Sequence, residues 1–493
     1  MAAQVHTSSP SRGQACPLAR RYARVTRAEA LVALCWLVVY VWDFAMMIAM
    51  PKRWLVVALL ALSLWGHERV LDAAPEGTTK KVAIAPFGLP SAGADREWLS
   101  DGASHVLALR LQHLTQLRAT VLSRSMLSGA EGVLNLVENT DVLRLIERLR
   151  PLGYDVLIFG HFMQVEPTVR AEIHVWTMRP ERSLGRAHEQ AAERDLDGLG
   201  MKLATFVVSV LQLSPTDPEG RRFAERYTTS AEAFERFARA LPLAEMTDDE
   251  EAVTQAANLF KEAVKLDGKF AMALRQQGDL LFRRGHYAGA VESYQSYLSI
   301  GRRNATVYHL LGNAYFAQRD AQRALDAYKR ALQLDARDYQ LHLDLGLAYA
   351  ALQDYANATK TFLRALEVKP DDPLAFANLG VVYLLQGNFP AATASLRRAQ
   401  LLHGADAVLS YNLGLSLMLV RDYEQARTQF ERAQQLKPDF TAAAYHLAFI
   451  YERFDPTQAL ERWRKYLALA RGKPEEQDWV RRAEEHLQRL QQP

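Results

Sequence analysis

The chain has 493 residues, which predicts two to four domains, and its 49% apolar and 23% charged residues are those of a packed chain, not a disordered or polytopic membrane one. Net charge is +3, but residues 1–53 hold seven Lys/Arg against two acids, so the remaining 440 residues carry a net charge of −2 and no basic body for nucleic acid. Both cysteines, Cys16 and Cys35, lie in the leader, which excludes a disulfide framework, a thiolate metal site and a cysteine nucleophile further along.

Residues 1–74 read as a basic leader. Residues 31–50 form a 20-residue run whose only charge is Asp43, long enough to span ~30 Å of hydrocarbon, and Arg20, Arg21, Arg24 and Arg27 precede it. This is the pattern of a membrane anchor with its amino terminus in the cytoplasm. Asp43 at mid-membrane costs ~2.5 to 3.5 kcal/mol, and Lys52 with Arg53 then falls on the wrong side by the positive-inside rule. A start at Met50 gives another layout: Pro51-Lys52-Arg53, the apolar run 54–65, then Leu71-Asp72-Ala73-Ala74-Pro75, as in a cleavable secretion signal. A re-entrant pair of segments is excluded because residues 54–65 are too few to cross. Anchor or signal, the chain after about residue 75 is expected outside the cytoplasmic membrane, in the periplasm. Neither cysteine has the small-residue context of lipid attachment, so a lipoprotein is not expected.

Residues 80–213 alternate strand and helix signals. A β-rich run at 81–87 precedes a helix over 98–117, a strand at 118–123, a helix at 141–152 with Thr140 as N-cap, strands at 154–165 and 169–178, and a helix at 197–213. Val169, Ala171, Ile173, Val175 and Thr177 alternate with Arg170, Glu172 and His174, the signature of a half-exposed antiparallel strand. The phrases Val82-Ala83-Ile84-Ala85-Pro86-Phe87, Trp98-Leu99-Ser100-Asp101-Gly102, Leu122-Ser123-Arg124-Ser125, Gly153-Tyr154-Asp155-Val156-Leu157-Ile158-Phe159-Gly160 and Asp195-Leu196 resemble the amino-terminal domain of the periplasmic translocation protein TolB. They also resemble the related module found between a membrane anchor and tetratricopeptide repeats in bacterial sensor and cyclase-associated proteins. The resemblance implies a non-catalytic, extracytoplasmic α/β domain.

Two sets of residues in this region could carry chemistry. Asp101 and His105 stand one helical turn apart beside Ser100 and Ser104, as an acid and base would, but no placed nucleophile accompanies them, and they read as a capped helix start with an exposed His. His161 and His174 could face each other across a hairpin, yet no third ligand stands out by its spacing, so no metal is expected. Phosphate-binding Gly loops are absent, and neither enzymatic activity nor a cofactor is expected.

The remainder is periodic. Gly278, Gly312, Gly346, Gly380 and Gly414 are spaced by 34 residues, and Ala448 continues the series. Leu281, Tyr315, Tyr349, Tyr383 and Leu417 follow three residues later; Ala290, Ala324, Ala358, Ala392 and Ala426 follow twelve later; and Tyr294, Tyr328, Phe362, Leu396 and Phe430 complete the register. Small residues allow two antiparallel helices to approach and large ones fill the space beside them, so each unit is one helical hairpin and the fold is an all-α solenoid. The pattern is similar to the tetratricopeptide repeat. Pro370 and Pro438 close second helices as in that repeat, whereas Arg302, Ala336 and Gly404 replace the proline. Five repeats occupy 271–440. A degenerate one at 230–270 keeps Ala240, Ala256, Phe260 and Ala263, with Leu243-Ala244 for the usual Leu-Gly and a polar break at 247–251. Another at 441–472 has Ala459 and Trp463 one residue early, implying a deletion at Phe454-Asp455-Pro456. Residues 475–493 are expected to form a capping helix, with Trp479, Ala483, Leu487 and Leu490 on one side.

The tetratricopeptide resemblance implies a protein-interaction scaffold that binds a peptide in the concave groove of the first helices. It places Arg275, Asp279, Arg283, His309, Asn313 and Phe316 on that surface, then Leu343, Leu347, Ala377, Val381, Leu384, Leu385, Tyr411, Leu415, Met418 and Leu419, a run from polar to apolar. The apolar residues serve either as binding surface or as packing between repeats. Leu374 and Asn378 stand where a carboxylate clamp needs Lys and Arg, so chaperone-tail binding is not expected. The expected partner is a protein of envelope assembly or secretion. The alternative is the sensory arm of a signalling system, for which residues 1–30 are too short to supply an effector.

Overall fold

The computed structural model describes residues 79–89, 97–123, 126, 139–164, 168–192, 194–246, 249–404, 406–473 and 476–491. The anchor and signal readings fall outside these residues; among those described, no helix is long and apolar enough to cross a membrane. The chain divides into two compact units, one closing at Asp335 and one opening at Ala336.

The first unit begins with a five-stranded sheet: β1 (Lys80–Ile84), β2 (Leu117–Val121), β3 (Val156–Gln164), β4 (Thr168–Met178) and β5 (Glu181–Ala192), in the order β2-β1-β3-β4-β5. Helices carry the parallel crossovers, α1 (Glu97–Leu111) from β1 to β2 and α2 (Asn139–Leu149) before β3, while β3, β4 and β5 run as an antiparallel meander. Period-two alternation gives the sheet two apolar faces. Ile84, Ile158, Ile173 and Val175 pack against α1 and α3 (Leu196–Val210) through Leu107, Leu111, Leu203 and Val207. Ala83, Leu157, Phe159 and Trp176 pack against Val142, Leu145 and Ile146 of α2.

Three boundaries differ from the sequence expectation. Helix α1 stops at Leu111, because Leu114 and Leu117, which continue its spacing, belong to the turn and the first residue of β2. Thr140 lies inside α2, which starts at Asn139, and Pro151 sits in a 3-10 turn at Arg150–Leu152 that ends in left-handed Gly153. Strand β5 has no counterpart in the expectation.

A short helix α4 (Asp217–Phe223) follows, capped reciprocally by Thr216 and Glu219. The stretch after it is held by Arg110, a fully buried cation on α1. Its guanidinium donates to the carbonyls of Phe223 (3.0 Å) and Glu225 (3.1 Å), pairs with the buried Asp197 carboxylate of α3, and lies 4.2 Å over the Tyr227 ring. Asp197 also accepts from the Tyr227 N–H at 2.8 Å. Those bonds compensate the desolvation of both charges, so losing either partner strands the other.

The helical array then starts directly on the α/β layer. Helices α5 (Ala231–Glu245), α6 (Glu250–Leu266), α7 (Ala271–Arg283), α8 (Tyr287–Ser299), α9 (Ala305–Ala317) and α10 (Ala321–Leu334) complete the first unit. Gly102 of α1 allows close approach to α5: an added Cβ would lie 3.0 Å from Ala238 Cβ. The second unit contains α11 (Tyr339–Ala351), α12 (Tyr355–Val368), α13 (Pro373–Leu385), α14 (Phe389–His403), α15 (Ala407–Leu419), α16 (Tyr423–Leu436), α17 (Thr441–Phe454), α18 (Pro456–Ala470) and α19 (Gln477–Gln491).

Each of the five regular hairpins turns through one left-handed residue, Gly285, Arg319, Gln353, Gly387 or Arg421, at φ between 62° and 77°. In the second to fifth of these hairpins an Asp or Asn caps the second helix, as Asp320, Asp354, Asn388 and Asp422 accept backbone N–H groups three residues ahead. In the last hairpin Asp455 alone separates α17 from α18 and caps the latter, which accounts for the one-residue shortening of the register.

Candidate protein-interaction surface

The interior of the repeats is set by one recurring contact. A Cβ added at Gly278 would lie 2.5 Å from the Tyr294 ring; at Gly346, 2.6 Å from Phe362; at Gly380, 2.6 Å from Leu396; and at Gly414, 2.8 Å from Phe430. Real Cβ atoms do not approach so closely, so the first helix needs glycine where the large residue of the second helix crosses it. Ala290, Ala324, Ala358, Ala392 and Ala426 are each fully buried at the same crossings.

The large residue also decides the polarity of the first helix. Tyr294 donates its hydroxyl proton to Asp279 Oδ1 at 2.7 Å, and Tyr328 donates to Asn313 Oδ1 at 2.7 Å. Asp279 is further held by Arg275, 3.6 Å away. In the next three repeats Phe362, Leu396 and Phe430 have no hydroxyl to satisfy, and the residue corresponding to Asp279 is Leu347, Val381 and Leu415. The polar-to-apolar run along the first helices therefore follows the identity of the side chain beneath.

This corrects part of the expected groove. Leu343, Leu347, Ala377, Val381, Leu384, Tyr411 and Leu415 are all at most 5% exposed. Tyr411 belongs to the interior: its ring lies 5.7 Å from Phe430 in its own repeat, and 5.1 Å and 5.7 Å from Phe440 and His446 in the next. Of the expected surface residues, Arg283 is exposed, while Arg275, Asp279, His309, Asn313 and Phe316 in the first unit and Leu385, Met418 and Leu419 in the second are half-buried. In the first unit the expected surface residues that remain accessible run along the helices from Arg275 and His309 to Arg283 and Phe316, whereas in the second unit those that remain accessible, Leu385, Met418 and Leu419, stand at the ends of the first helices. Sequence spacing did not separate these from the buried turn before them.

The residues considered for acid–base chemistry have structural duties. Ser104 Oγ donates to the Ser100 carbonyl at 2.9 Å and accepts from the Phe87 N–H at 3.2 Å, fastening α1 to the end of β1. His105 faces the Asp101 carbonyl at 2.6 Å, not its carboxylate, and its other nitrogen lies 3.2 Å from Glu245 of α5. Burial lowers the His105 pKa, but the Glu245 carboxylate and the Asp101 carbonyl outweigh it and leave the pKa raised. His161 and His174 do meet across the hairpin, and Glu172 joins them from β4.

The family models that match this chain agree with the helical register. One described as "TPR repeat" matches residues 278–319 and 346–387, and two described as tetratricopeptide repeats match 305–338 and 407–440. No curated protein matches the chain. Similar solved structures include YrrB, a TPR protein with an unusual peptide-binding site, 22% identical over 36% of this chain and 89% of that one, with a TM-score of 0.33. They also include PilF of Pseudomonas aeruginosa, 20% identical over 43% and 97% with a TM-score of 0.38, and a tetratricopeptide repeat protein from Parabacteroides merdae, 17% identical over 52% and 100% with a TM-score of 0.40. Beyond its small α/β region, the chain carries tetratricopeptide repeats, the repeat from which protein-interaction scaffolds are built.

Proposed function

We propose that this chain is an exported or membrane-anchored scaffold whose repeat array holds a peptide segment of an envelope or secretion partner. The observation that carries this reading is the glycine crossing that recurs from hairpin to hairpin within each unit, with accessible side chains left on the first helices. A surface that repeats from hairpin to hairpin suits an extended peptide. The contact surface in the first unit is Arg275, Arg283, His309 and Phe316, which takes acidic and aromatic groups; in the second it is Leu385, Met418 and Leu419, which takes aliphatic ones. The α/β region, which resembles the amino-terminal domain of TolB, supplies a second docking surface, and the leader sets the compartment.

A photo-activated crosslinking residue at position 283 or 316 of the full chain should capture a membrane-fraction partner, whereas one at Arg330, exposed on a second helix, should not. Equal capture from all three positions would defeat the surface assignment. A reporter enzyme active only outside the cytoplasm, fused after Pro75, should be active; activity confined to a cytoplasmic reporter would remove the export reading.

A further inference from the structure

One face of the β3–β4–β5 meander gathers three histidines around a single carboxylate. The ladder sets His161 of β3 opposite Glu172 of β4, and Glu172 opposite His188 of β5, so the three form one row across the sheet. His174, two residues along β4 from Glu172, projects on the same side. Glu172 Oε2 lies 3.4 Å from His161 Nε2, and Oε1 lies 3.2 Å from His174 Nε2 and 3.9 Å from His188 Nε2. One atom from each of His161, Glu172 and His174 falls within a 4.8 Å span.

The geometry points to a divalent metal site in which His161, Glu172 and His174 coordinate a Zn2+-class ion, with His188 reaching toward the fourth position. Tetrahedral zinc with bonds of ~2.0 to 2.1 Å places its ligand atoms about 3.3 Å apart, close to the separation of each imidazole from its nearer carboxylate oxygen, Oε2 for His161 and Oε1 for His174. A simple ion pair needs only one histidine for a carboxylate, and three imidazoles converge on this one. Imidazole nitrogen with a single carboxylate oxygen selects zinc and neighbouring transition metals over magnesium or calcium, which prefer oxygen. The donors are carried on hydrogen-bonded strands and not on loops, and the Phe159 ring stacks on His174 at 4.8 Å and 4°, fixing that imidazole. Glu172 is 11% exposed and His161 28%, so the site is shielded yet reachable from solvent. Arg186 stands opposite His174 in the ladder but is exposed, and its head can turn to water.

The probe is zinc itself. Equilibrium dialysis of the full-length chain should find one tightly held Zn2+, its addition should raise the melting temperature, and Co2+ in its place should give the visible bands of a tetrahedral N/O site. Glu172→Gln and His174→Gln should each weaken binding by about tenfold or more, while His286→Ala, on the repeat array, leaves it unchanged. His188→Ala should weaken binding less than either. Failure of the wild-type chain to take up stoichiometric Zn2+ or to melt higher with it overturns the proposal, because neither readout depends on a variant folding. Undiminished binding by a Glu172→Gln chain with native circular dichroism overturns it as well.

Discussion

The repeats around Gly278 and Gly312 and those around Gly346, Gly380 and Gly414 share one backbone plan and differ in how the large residue is satisfied. In the first pair a tyrosine hydroxyl crosses to Asp279 or Asn313; in the other three, Phe362, Leu396 and Phe430 bring no hydroxyl to the crossing. A buried hydroxyl requires an acceptor, and a residue beneath a phenyl ring must not bring an unpaired polar group. The two kinds of repeat are thus alternative solutions to the same crossing, and the polarity of the first helix is a consequence of interior packing as much as of any ligand.

The strongest way to break this comparison is Tyr411→Ala. If Tyr411 is interior, the substitution leaves a cavity among Phe430, Phe440 and His446 and should cost about 3 to 5 kcal/mol, read by denaturant unfolding of the full chain with hydrogen exchange at α15 and α16. A loss below about 1 kcal/mol would return Tyr411 to the surface. Next is acidity. Burial depresses the His446 pKa to about 4, only partly opposed by its bond to the Ala442 carbonyl. The unfolded state therefore takes up a proton that the folded state refuses. Stability is intact above the unfolded value near 6.5 and falls as pH drops toward about 4, by on the order of 3 kcal/mol at the acid end. His446→Phe should remove that slope from the second unit, and an unchanged slope would place its origin elsewhere.

A third substitution transplants one solution into the other. Leu347→Asn alone should cost about 2 kcal/mol by burying an amide beneath Phe362, and Phe362→Tyr in the same chain should recover about 1 kcal/mol by recreating the Tyr328–Asn313 bond. Additive effects would show that the hydroxyl and the amide do not communicate. The smallest expected effect concerns the turns. Gln353 holds φ at 62° where Gly387 holds 75°, so Gln353→Gly should stabilise by up to about 1 kcal/mol and Gly387→Ala should destabilise by a similar amount.

Much of this was legible in the chain. The 34-residue spacing set every glycine crossing, because close helix contact leaves a size signal that repeats without exception from Gly278 to Gly414. The groove was less legible: Tyr411 and Met418 both lie on a side of the first helix that periodicity marks as apolar, and spacing alone does not say which turn the next repeat covers. Strand β5 was invisible because its inward side is only Leu184, Ala187 and Ala191 among polar residues, too weak an alternation to mark a strand without its backbone hydrogen bonds to β4. Glu172 was placed on the outward face of its strand together with His174, but its meeting with His161 depends on the register between β3 and β4, which spacing along one strand does not give.

The two ends of the array carry one more consequence. At its start, α5 is covered by α1 of the α/β layer, with Gly102 against Ala238. At its finish, Trp479, Ala483 and Leu487 of α19 close the last hairpin, where Trp463 donates to Glu452 at 2.8 Å and His486 contacts the same carboxylate at 2.6 Å. The outer apolar faces of the first and the last hairpin are thus each covered within their own unit, so neither end of the array offers the bare face on which a further hairpin would stack. Lengthening it requires duplication of an interior hairpin, inserted where one second helix hands over to the next first helix; an extra hairpin appended after Gln491 would meet a finished surface.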